Sequence, residues 1–411
     1  MAISNHGSGH PDALGPVTAG VPKRFRSTRL SKPGVVEFAA PPKPEFSFNL
    51  KPADIAKHLN RFVIGQREAK KVLSVALCDH FQHVRMTLEG NGAPFYQKQN
   101  VLLLGPTGVG KTHLIRSAAE LIGVPFVKAD ATKFSETGYV GGDVDDLVRD
   151  LVRRAGGDVK KAEHGIIYLD EVDKLATRGE SGGRDVSGRG VQTNLLKLME
   201  DGDVPVVSPN DVTGQLQSAM SAMRGSGAAQ PETINTRHVL FIVSGAFSGM
   251  AEIIRRRLSS GSSRGDEAHA RKMEDDQSLL SSAATADLIA YGLEPEFIGR
   301  LPVRVACHGL STEDLFNVLR KSESSLIHQY ERAFAAYGIK CEFKDDGLRR
   351  LAELASTEHT GARGLMTICE RVFRDFKFRL PGSRVKRVAV TATLVNGPAQ
   401  ELRRVLARAG R

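Results

Sequence analysis

Short apolar runs alternate with longer amphipathic stretches between residues 45 and 305. The runs within Asn100–Leu104 and Gly165–Glu171 are continuous rather than alternating, which is typical of strands buried on both faces. Thr112–Leu121 follows the first run with helical spacing, and Pro52–Leu88 also has a helical pattern. This order predicts an α/β layer with a mostly parallel sheet.

The C-terminal third repeats this alternation on a smaller scale. Asp346–Leu380 has a helical pattern, and Val385–Val390 has the pattern of a strand. We therefore expect a large α/β domain over 46–305 and a smaller α/β domain over 311–394. The basic tail at 395–411 is expected to form a short helix.

Three segments lack this periodicity. Residues 1–45 are rich in Gly, Pro, Ser and Ala, which predicts a disordered N-terminal arm. Asp211–Thr236 and Ser259–Asp276 are rich in Ser and Gly, and we expect mobile loops there.

Residues Gly105–Thr112 read Gly-Pro-Thr-Gly-Val-Gly-Lys-Thr and fit the phosphate-loop pattern G-x-x-x-x-G-K-[ST]. Its glycines let backbone N–H groups point at phosphate oxygens. Lys111 can reach the β- and γ-phosphates, and the Thr112 hydroxyl can ligate Mg²⁺. A chance glycine-rich turn is disfavoured, because a strand precedes the loop and a helix follows it. The sequence predicts that a nucleoside triphosphate binds Gly105, Pro106, Thr107, Gly108, Val109, Gly110, Lys111 and Thr112.

The second apolar run ends on two acids, Asp170 and Glu171. At the end of a strand, Asp170 is placed to hold Mg²⁺ through water, and Glu171 is placed to polarise the attacking water. Alone, such a pair is often a solvated strand end, but the upstream phosphate loop favours hydrolysis. Asp173 and Lys174 follow, and we expect them to be surface or subunit-contact charges.

Composition narrows the class of protein further. A chain of 411 residues exceeds one ordinary core. The net charge of +10 permits an anionic partner, but Lys and Arg are spread along the chain, which disfavours nucleic acid. No apolar run approaches the ~20 residues of a membrane span, and the N-terminus lacks the apolar region of a signal peptide. Cysteines without C-x-x-C spacing disfavour a zinc site or disulfides and favour a reducing cytoplasm; they are Cys78, Cys307, Cys341 and Cys369.

Three further motifs carry a family resemblance. Arg61–Gln66 reads Arg-Phe-Val-Ile-Gly-Gln, Glu296–Pro302 reads Glu-Phe-Ile-Gly-Arg-Leu-Pro, and Gly361–Gly364 reads Gly-Ala-Arg-Gly. Together with the two nucleotide motifs, they make the chain resemble the ClpX family of AAA+ protein unfoldases from about Pro52 to Val390. The resemblance implies an AAA+ P-loop NTPase fold, ATP and Mg²⁺ as cofactors, and ATP hydrolysis coupled to protein unfolding.

The resemblance also implies residue roles. Val63 and Ile64 would contact the adenine base. Arg300 would be a catalytic arginine finger that reaches the γ-phosphate of a neighbouring subunit, and Arg363 would couple the small domain to the nucleotide. A guanidinium is planar and always charged, which suits phosphate charge that develops in the transition state. A finger acting between subunits requires a homo-oligomeric ring, and the resemblance implies six subunits.

Two segments resemble the loops that line the family's pore. Gly138–Gly141 reads Gly-Tyr-Val-Gly, with Tyr139 as the paddle beside Val140. An aromatic ring between glycines can press against an extended chain of almost any sequence, although a turn with a packed tyrosine has the same pattern. The second segment is Arg184–Gly190, and its Arg184 and Arg189 would line the channel. Both segments imply protein substrates.

The chain also departs from related patterns. HslU carries a similar Gly-Tyr-Val-Gly loop, but its inserted domain would not fit between Lys111 and Asp170. ClpX proteins commonly begin with a four-cysteine zinc domain, which this sequence does not show, so adaptor use of that kind is not expected. Ser260–His269 stands where the family carries an Ile-Gly-Phe type tripeptide and has no apolar anchor. This disfavours docking of the ClpP peptidase.

Four functions follow from these observations. The first is an ATP-driven unfoldase that works without ClpP or with a different partner. The second is an ordinary ClpX subunit that feeds ClpP through a diverged docking loop. A nucleic-acid-associated AAA+ ATPase is the third, disfavoured because the two pore segments have no base-stacking platform beside them. A non-enzymatic regulatory ring is the fourth, disfavoured because no identifiable nucleotide-site position is lost.

Overall fold

The computed structural model of the protein describes residues 46–93, 95–135, 142–176, 186–207, 232–260 and 276–410. The N-terminal arm expected at 1–45 lies outside these residues. So does most of the two expected loops, at 211–231 and 261–275.

A parallel sheet forms the centre of the larger part of the chain. Its strands and those of a neighbouring hairpin are β1 (Val101–Leu104), β2 (Phe126–Asp130), β3 (Ile166–Asp170), β4 (Asp203–Pro205), β5 (Thr233–Asn235), β6 (Leu240–Gly245) and β7 (Val303–Ala306). Five of them pair in the order β2-β3-β6-β1-β7, and every neighbouring pair is parallel. Strands β4 and β5 form a separate antiparallel pair.

Helices cover both faces of this sheet. They are α1 (Pro52–Phe62), α2 (Arg67–Leu88), α3 (Lys111–Ile122), α4 (Asp146–Arg154), α5 (Val159–Ala162), α6 (Val186–Met199), α7 (Met250–Ser260), α8 (Asp276–Leu280), α9 (Thr285–Tyr291) and α10 (Pro295–Gly299). Helix α1 begins at a proline, where no backbone donor is lost, and Asp54 accepts from the Lys51 N–H at 3.0 Å. Helix α3 ends at Gly123, which adopts φ +81°.

The continuous apolar runs are explained by a sheet that is buried on both sides. Val101 and Leu103 of β1 pack into one core beneath α1, α2 and α3. Leu102 and Leu104 point into a second core on the opposite face. Strands β3 and β6 divide their side chains in the same way, so each has no polar face to expose.

The C-terminal part forms its own core around a two-stranded parallel sheet. Its elements are α11 (Thr312–Lys321), α12 (Leu326–Ala335), β8 (Lys340–Phe343), α13 (Asp345–Ser356), α14 (Ala362–Arg379), β9 (Arg387–Val390), α15 (Ala392–Asn396) and α16 (Pro398–Ala409). We call residues 312–409 the C-terminal unit. Leu402 of the basic tail is buried in the core of this unit.

The predicted fold class is confirmed, with two differences in detail. The helical stretch over Asp346–Leu380 is interrupted at Thr357–Gly361, because Gly361 adopts φ +60°. The loop expected up to Thr236 is wrong for Thr233–Asn235, which pair with β4. In the part of the chain that the structure describes, no helix is both long and apolar enough to cross a membrane.

Candidate nucleotide site

The phosphate loop connects β1 to α3 and depends on its glycines. Gly105 adopts φ +138° and Gly108 φ +75°, a region that side-chain-bearing residues rarely adopt. A Cβ atom at Gly105 would lie 2.2 Å from the Cys307 carbonyl oxygen, and one at Gly108 would lie 2.1 Å from the Thr360 carbonyl oxygen. The loop therefore has space for backbone alone at both positions.

A cavity of about 750 Å³ opens in front of this loop. Lys111, only 7% exposed, donates from its ammonium to the carbonyl oxygens of Gly105 at 2.6 Å and Pro106 at 2.9 Å. Burial lowers the pKa of Lys111. The cavity joins the phosphate loop, the end of β3 and the start of α14; its lining includes Thr107, Gly108, Gly110, Lys111, Thr112, Asp170, Glu171 and Arg363.

The two residues predicted to serve Mg²⁺ are neighbours in this cavity. The Thr112 hydroxyl lies 3.5 Å from Oδ2 of Asp170, and Lys128 Nζ lies 3.6 Å from the same oxygen. The other oxygen, Oδ1, accepts from the Ser244 hydroxyl at 2.6 Å and from the Glu171 N–H at 3.1 Å. A hydroxyl and a carboxylate are hard oxygen ligands, and this pair fits a magnesium ion that keeps several of its waters.

Glu171 adopts an unusual backbone conformation at the edge of the cavity. Its φ is +61°, although it is not a glycine, and such strain is concentrated at functional sites. The turn that follows, Val172–Leu175, is anchored by Asp173, which accepts from the N–H groups of Ala246 and Phe247 at 3.3 Å. Asp173 is 3% exposed, so the expectation of a surface charge is wrong for it, whereas Lys174 is exposed.

A second cavity, of about 400 Å³, adjoins the first and is largely apolar. Val63 and Ile64, the two residues expected to contact adenine, line it together with Leu310, Val318, Leu326, Leu365 and Met366. The Gln66 side chain fixes this segment by exchanging two hydrogen bonds, at 2.6 and 2.9 Å, with the backbone of His308. Arg61 binds both carboxylate oxygens of Glu323, at 2.6 and 2.8 Å. The apolar cavity thus lies between the two parts of the chain.

Arg363 enters the phosphate cavity from the C-terminal unit. It is the second residue of α14, and the first, Ala362, donates its N–H to the Gly108 carbonyl at 2.9 Å. Burial is the largest cause that lowers the pKa of Lys111, and the positive charge of Arg363 lowers it further. The two cations line the same cavity.

Arg300 does not line the phosphate cavity. It follows α10, and its guanidinium lies 2.5 Å from Oε1 of Glu200 in a separate cavity of about 410 Å³. Lys98 and Asn100, which precede β1, line the same cavity as Arg300. This cavity therefore lies at the amino ends of the strands, whereas the phosphate loop follows their carboxyl ends.

The predicted pore residues are described only in part. Tyr139, Val140 and Arg184 lie outside the described residues. Arg189 belongs to the first turn of α6, is exposed, and lies 3.2 Å from a carboxylate oxygen of Glu294.

Sequence reasoning missed three residues that surround Asp170. Ser244 donates to it, Tyr168 lies 2.7 Å from the Ser244 hydroxyl, and Lys128 pairs with it. A signal for Ser244 was present, because the apolar run of β6 ends on this serine as the run of β3 ends on Asp170. Parallel strands of one sheet bring such ends together.

Comparison with known proteins agrees with this geometry. The family model of the AAA domain (Cdc48 subfamily) matches residues 96–304. The chain is 41% identical over 345 residues to the ATP-dependent Clp protease ATP-binding subunits ClpX of Borrelia duttonii (strain Ly) and Borrelia recurrentis (strain A1). Each alignment covers 83% of this chain and 77% of the relative.

A further relative is ClpX 3, an ATP-dependent Clp protease ATP-binding subunit of Methylococcus capsulatus (strain ATCC 33009 / NCIMB 11132 / Bath). It is 38% identical over 364 residues, which cover 85% of this chain and 81% of the relative. The sheet and phosphate loop have the α/β order of an AAA+ P-loop NTPase. The chain therefore belongs to the ClpX family of ATP-dependent Clp chaperones and is an ATPase.

Proposed function

We propose that this protein is an ATP-driven unfoldase that assembles into a six-membered ring and threads polypeptide through the central pore. The observation that carries the proposal is the position of Arg300. This residue lines a cavity distinct from the phosphate cavity of its own chain. An arginine finger placed there serves the nucleotide of a neighbouring subunit, which requires a closed ring with head-to-tail contacts.

Several residues of the phosphate cavity, and one from the next subunit, have roles in this proposal. Lys111 and the loop N–H groups bind the triphosphate, and Glu171 orients the attacking water. Arg300 of the next subunit stabilises the charge that develops on the transferred phosphoryl group. Thr112 and Asp170 would hold Mg²⁺, which would supply neutralising charge on the phosphates.

The C-terminal unit converts the nucleotide state into movement. Its helix α14 touches the phosphate loop through the Ala362–Gly108 hydrogen bond, and Arg363 lines the same cavity as Lys111. The apolar cavity would hold the base between both parts of the chain. Loss of the γ-phosphate would change these contacts together, rotate the C-terminal unit and move Tyr139 along the pore. Because domains are stable by only ~5–15 kcal/mol, repeated pulls can unravel them.

We propose further that the motor works without ClpP or with another partner. The observation is the sequence of Ser260–His269, which offers no large apolar side chain to fill a docking pocket. The second candidate, a subunit that feeds ClpP through a diverged loop, is favoured by the relatives, which are named as ATP-binding subunits of the ATP-dependent Clp protease.

One experiment separates these candidates. A stable fluorescent protein with an unstructured tail is incubated with the ATPase and ATP, with and without ClpP. We expect ATP-dependent loss of fluorescence in both cases and no degradation. Degradation that requires both ATP and ClpP would contradict independence from ClpP and support the second candidate. If fluorescence persists and DNA rather than unfolded polypeptide stimulates hydrolysis, the unfoldase proposal is wrong.

The pore assignment is tested with Tyr139→Ala. The substitution leaves the nucleotide site intact, so we expect ATP hydrolysis to continue while unfolding of the fluorescent substrate fails. Arg189→Ala serves as a comparison at an exposed residue of the second pore segment. Unchanged unfolding by Tyr139→Ala would remove Tyr139 from the substrate path.

A further inference from the structure

Arg300 lies on a short element that cannot hold it in place alone. The preceding helix α10 has five residues, and the Arg300 N–H bonds only within it, to the Phe297 carbonyl at 3.2 Å. The side chain is half exposed. A charged group that acts on a transition state must be held in the productive geometry, because small displacements cost large factors in rate.

Asn100 fixes the backbone at Arg300 from the sheet. It is 1% exposed and directly precedes β1. Its amide Nδ2 donates to the Arg300 carbonyl at 3.1 Å and to the Met199 carbonyl at 3.4 Å. Its Oδ1 accepts from the Phe241 N–H at 3.2 Å. An asparagine amide supplies two donors and an acceptor in one plane, and all three are used here.

The same bonds set the spacing between Arg300 and its carboxylate partner. Glu200 directly follows Met199, and its Oε1 lies 2.5 Å from the Arg300 guanidinium. Asn100 therefore holds both the peptide of the finger and the peptide that leads into the carboxylate. A leucine of similar size would take these three hydrogen bonds away from two carbonyls and one N–H.

We infer that Asn100 and Glu200 are positioning residues for Arg300, an inference that rests on the proposed role of Arg300 as the finger. Asn100 fixes the backbone of the finger, and Glu200 orients its guanidinium. Strand β1 runs from Asn100 to the phosphate loop, a span of about 16 Å at ~3.3 Å per residue. The finger offered to the next subunit is thereby attached to the strand that carries the subunit's own nucleotide site.

The test compares Asn100→Ser, Arg300→Ala and the double variant as assembled rings. For Asn100→Ser we expect kcat to fall at least about tenfold while the Kd for a fluorescent ATP analogue stays within about threefold. In the double variant we expect kcat equal to that of Arg300→Ala, because Asn100 acts through Arg300. Asn235→Ser, whose amide binds Asp203 on the β4–β5 hairpin, is the matched control and should keep wild-type kcat.

The outcomes separate this inference from the function on which it rests. Wild-type kcat in Arg300→Ala would refute the finger and the inference together. Loss of kcat in Arg300→Ala with wild-type kcat in Asn100→Ser would overturn the inference alone. The inference would also be overturned if ATP affinity, kcat and melting temperature all fell together in Asn100→Ser, since that pattern marks a purely structural residue.

A second variant keeps the test open if Asn100→Ser does not fold. Glu200→Gln changes a half-exposed carboxylate and leaves the buried amide intact. We expect kcat to fall severalfold at unchanged ATP affinity, again with no further loss when Arg300→Ala is added. Losses that multiply in the double variant would show that Glu200 does not act through Arg300.

Discussion

At the scale of single residues, Gly108 joins two functions that the sequence motif does not distinguish. Its N–H belongs to the loop that receives phosphate, and its carbonyl accepts from Ala362 at the start of α14. Because Thr360 also approaches it closely, the position has no room for a Cβ atom. The C-terminal unit therefore touches the phosphate loop directly.

Gly108→Ala should therefore weaken ATP binding strongly. Alanine at φ +75° costs roughly 1–2 kcal/mol, and its Cβ would displace the Thr360 backbone, so we expect at least a tenfold rise in the Kd. Titration with a fluorescent ATP analogue measures it. Gly382→Ala is the control, since its added Cβ meets nothing within 4 Å. Equal Kd values for the two variants would contradict the described contact.

Glu171→Gln should bind ATP and fail to hydrolyse it. The amide keeps the size of the side chain but cannot polarise water, and general-base catalysis contributes about 10²–10⁴-fold. We expect kcat to fall at least about a hundredfold with a Kd near that of the wild type. Steady-state phosphate release and nucleotide binding provide the two values. Near-normal turnover would show that another residue is the base.

The candidate nucleotide residues could be proposed from sequence because each motif is local. The phosphate-loop pattern pointed to Lys111 and the end of an apolar run pointed to Asp170, and the structure brings both into one cavity. Lys128 could not be predicted, since its approach to Asp170 depends on sheet register. Lys128 of β2 pairs with Tyr168 of β3, two residues before Asp170. Residues two apart on a strand share a face of the sheet, so the Lys128 ammonium lies on the same face as the Asp170 carboxylate and pairs with it.

At the scale of elements, helix α2 and the amino ends of β3 and β6 enclose several histidines. Burial lowers the pKa of His80 to about 3 and that of His238 to about 4. It also lowers the pKa of His83 and of His164. His80 Nε2 lies 3.0 Å from the His238 carbonyl, and His83 stacks on Tyr96 with ring centroids 3.6 Å apart. These rings are therefore neutral in the folded protein at neutral pH.

This cluster predicts a loss of stability in mild acid. Unfolded histidine binds a proton below about pH 6.5, whereas folded His80 and His238 do not. The free energy of unfolding should fall as pH drops from 6.5 toward 4, by up to about 1.4 kcal/mol per pH unit for each histidine. Urea denaturation at pH 7.5, 6.5 and 5.5 measures the slope.

Two variants assign that slope to the cluster. His238→Asn removes one half-buried ring whose pKa is lowered and should make the pH dependence shallower. His328→Gln removes an exposed ring paired with Glu331 and should leave the slope unchanged. Identical slopes in both variants would mean that the acid sensitivity arises elsewhere in the protein.

Element boundaries were predicted best where a pattern and a capping residue coincide. Helices were expected over Pro52–Leu88, and the structure forms two there, starting at Pro52 and ending at Leu88. The short strand Lys340–Phe343 was not predicted, because it pairs with the distant β9. The start of α10 was predictable from its proline. The hydrogen bond from Asn100 to the Arg300 carbonyl, just after α10, was not predictable, because it joins residues 200 positions apart.

At the scale of the whole molecule, the phosphate loop and Arg300 lie at opposite ends of one strand. The phosphate loop follows the carboxyl end of β1, and Arg300 is held at the amino end of the same strand. Under the proposed function, each chain would offer nucleotide-binding residues on one side and a finger on another. Head-to-tail association would then complete a site at every interface of the proposed ring.

Mixing two inactive variants tests this account most directly. Arg300→Ala lacks the finger but keeps Glu171, and Glu171→Gln lacks the base but keeps Arg300. Each homogeneous ring should hydrolyse ATP at less than about 1% of the wild-type rate. If the subunits mix at random, a 1:1 mixture should regain activity toward about a quarter of the wild-type rate, because about a quarter of the interfaces pair an intact base with an intact finger. A mixture no more active than the two separate variants would contradict action of Arg300 between subunits.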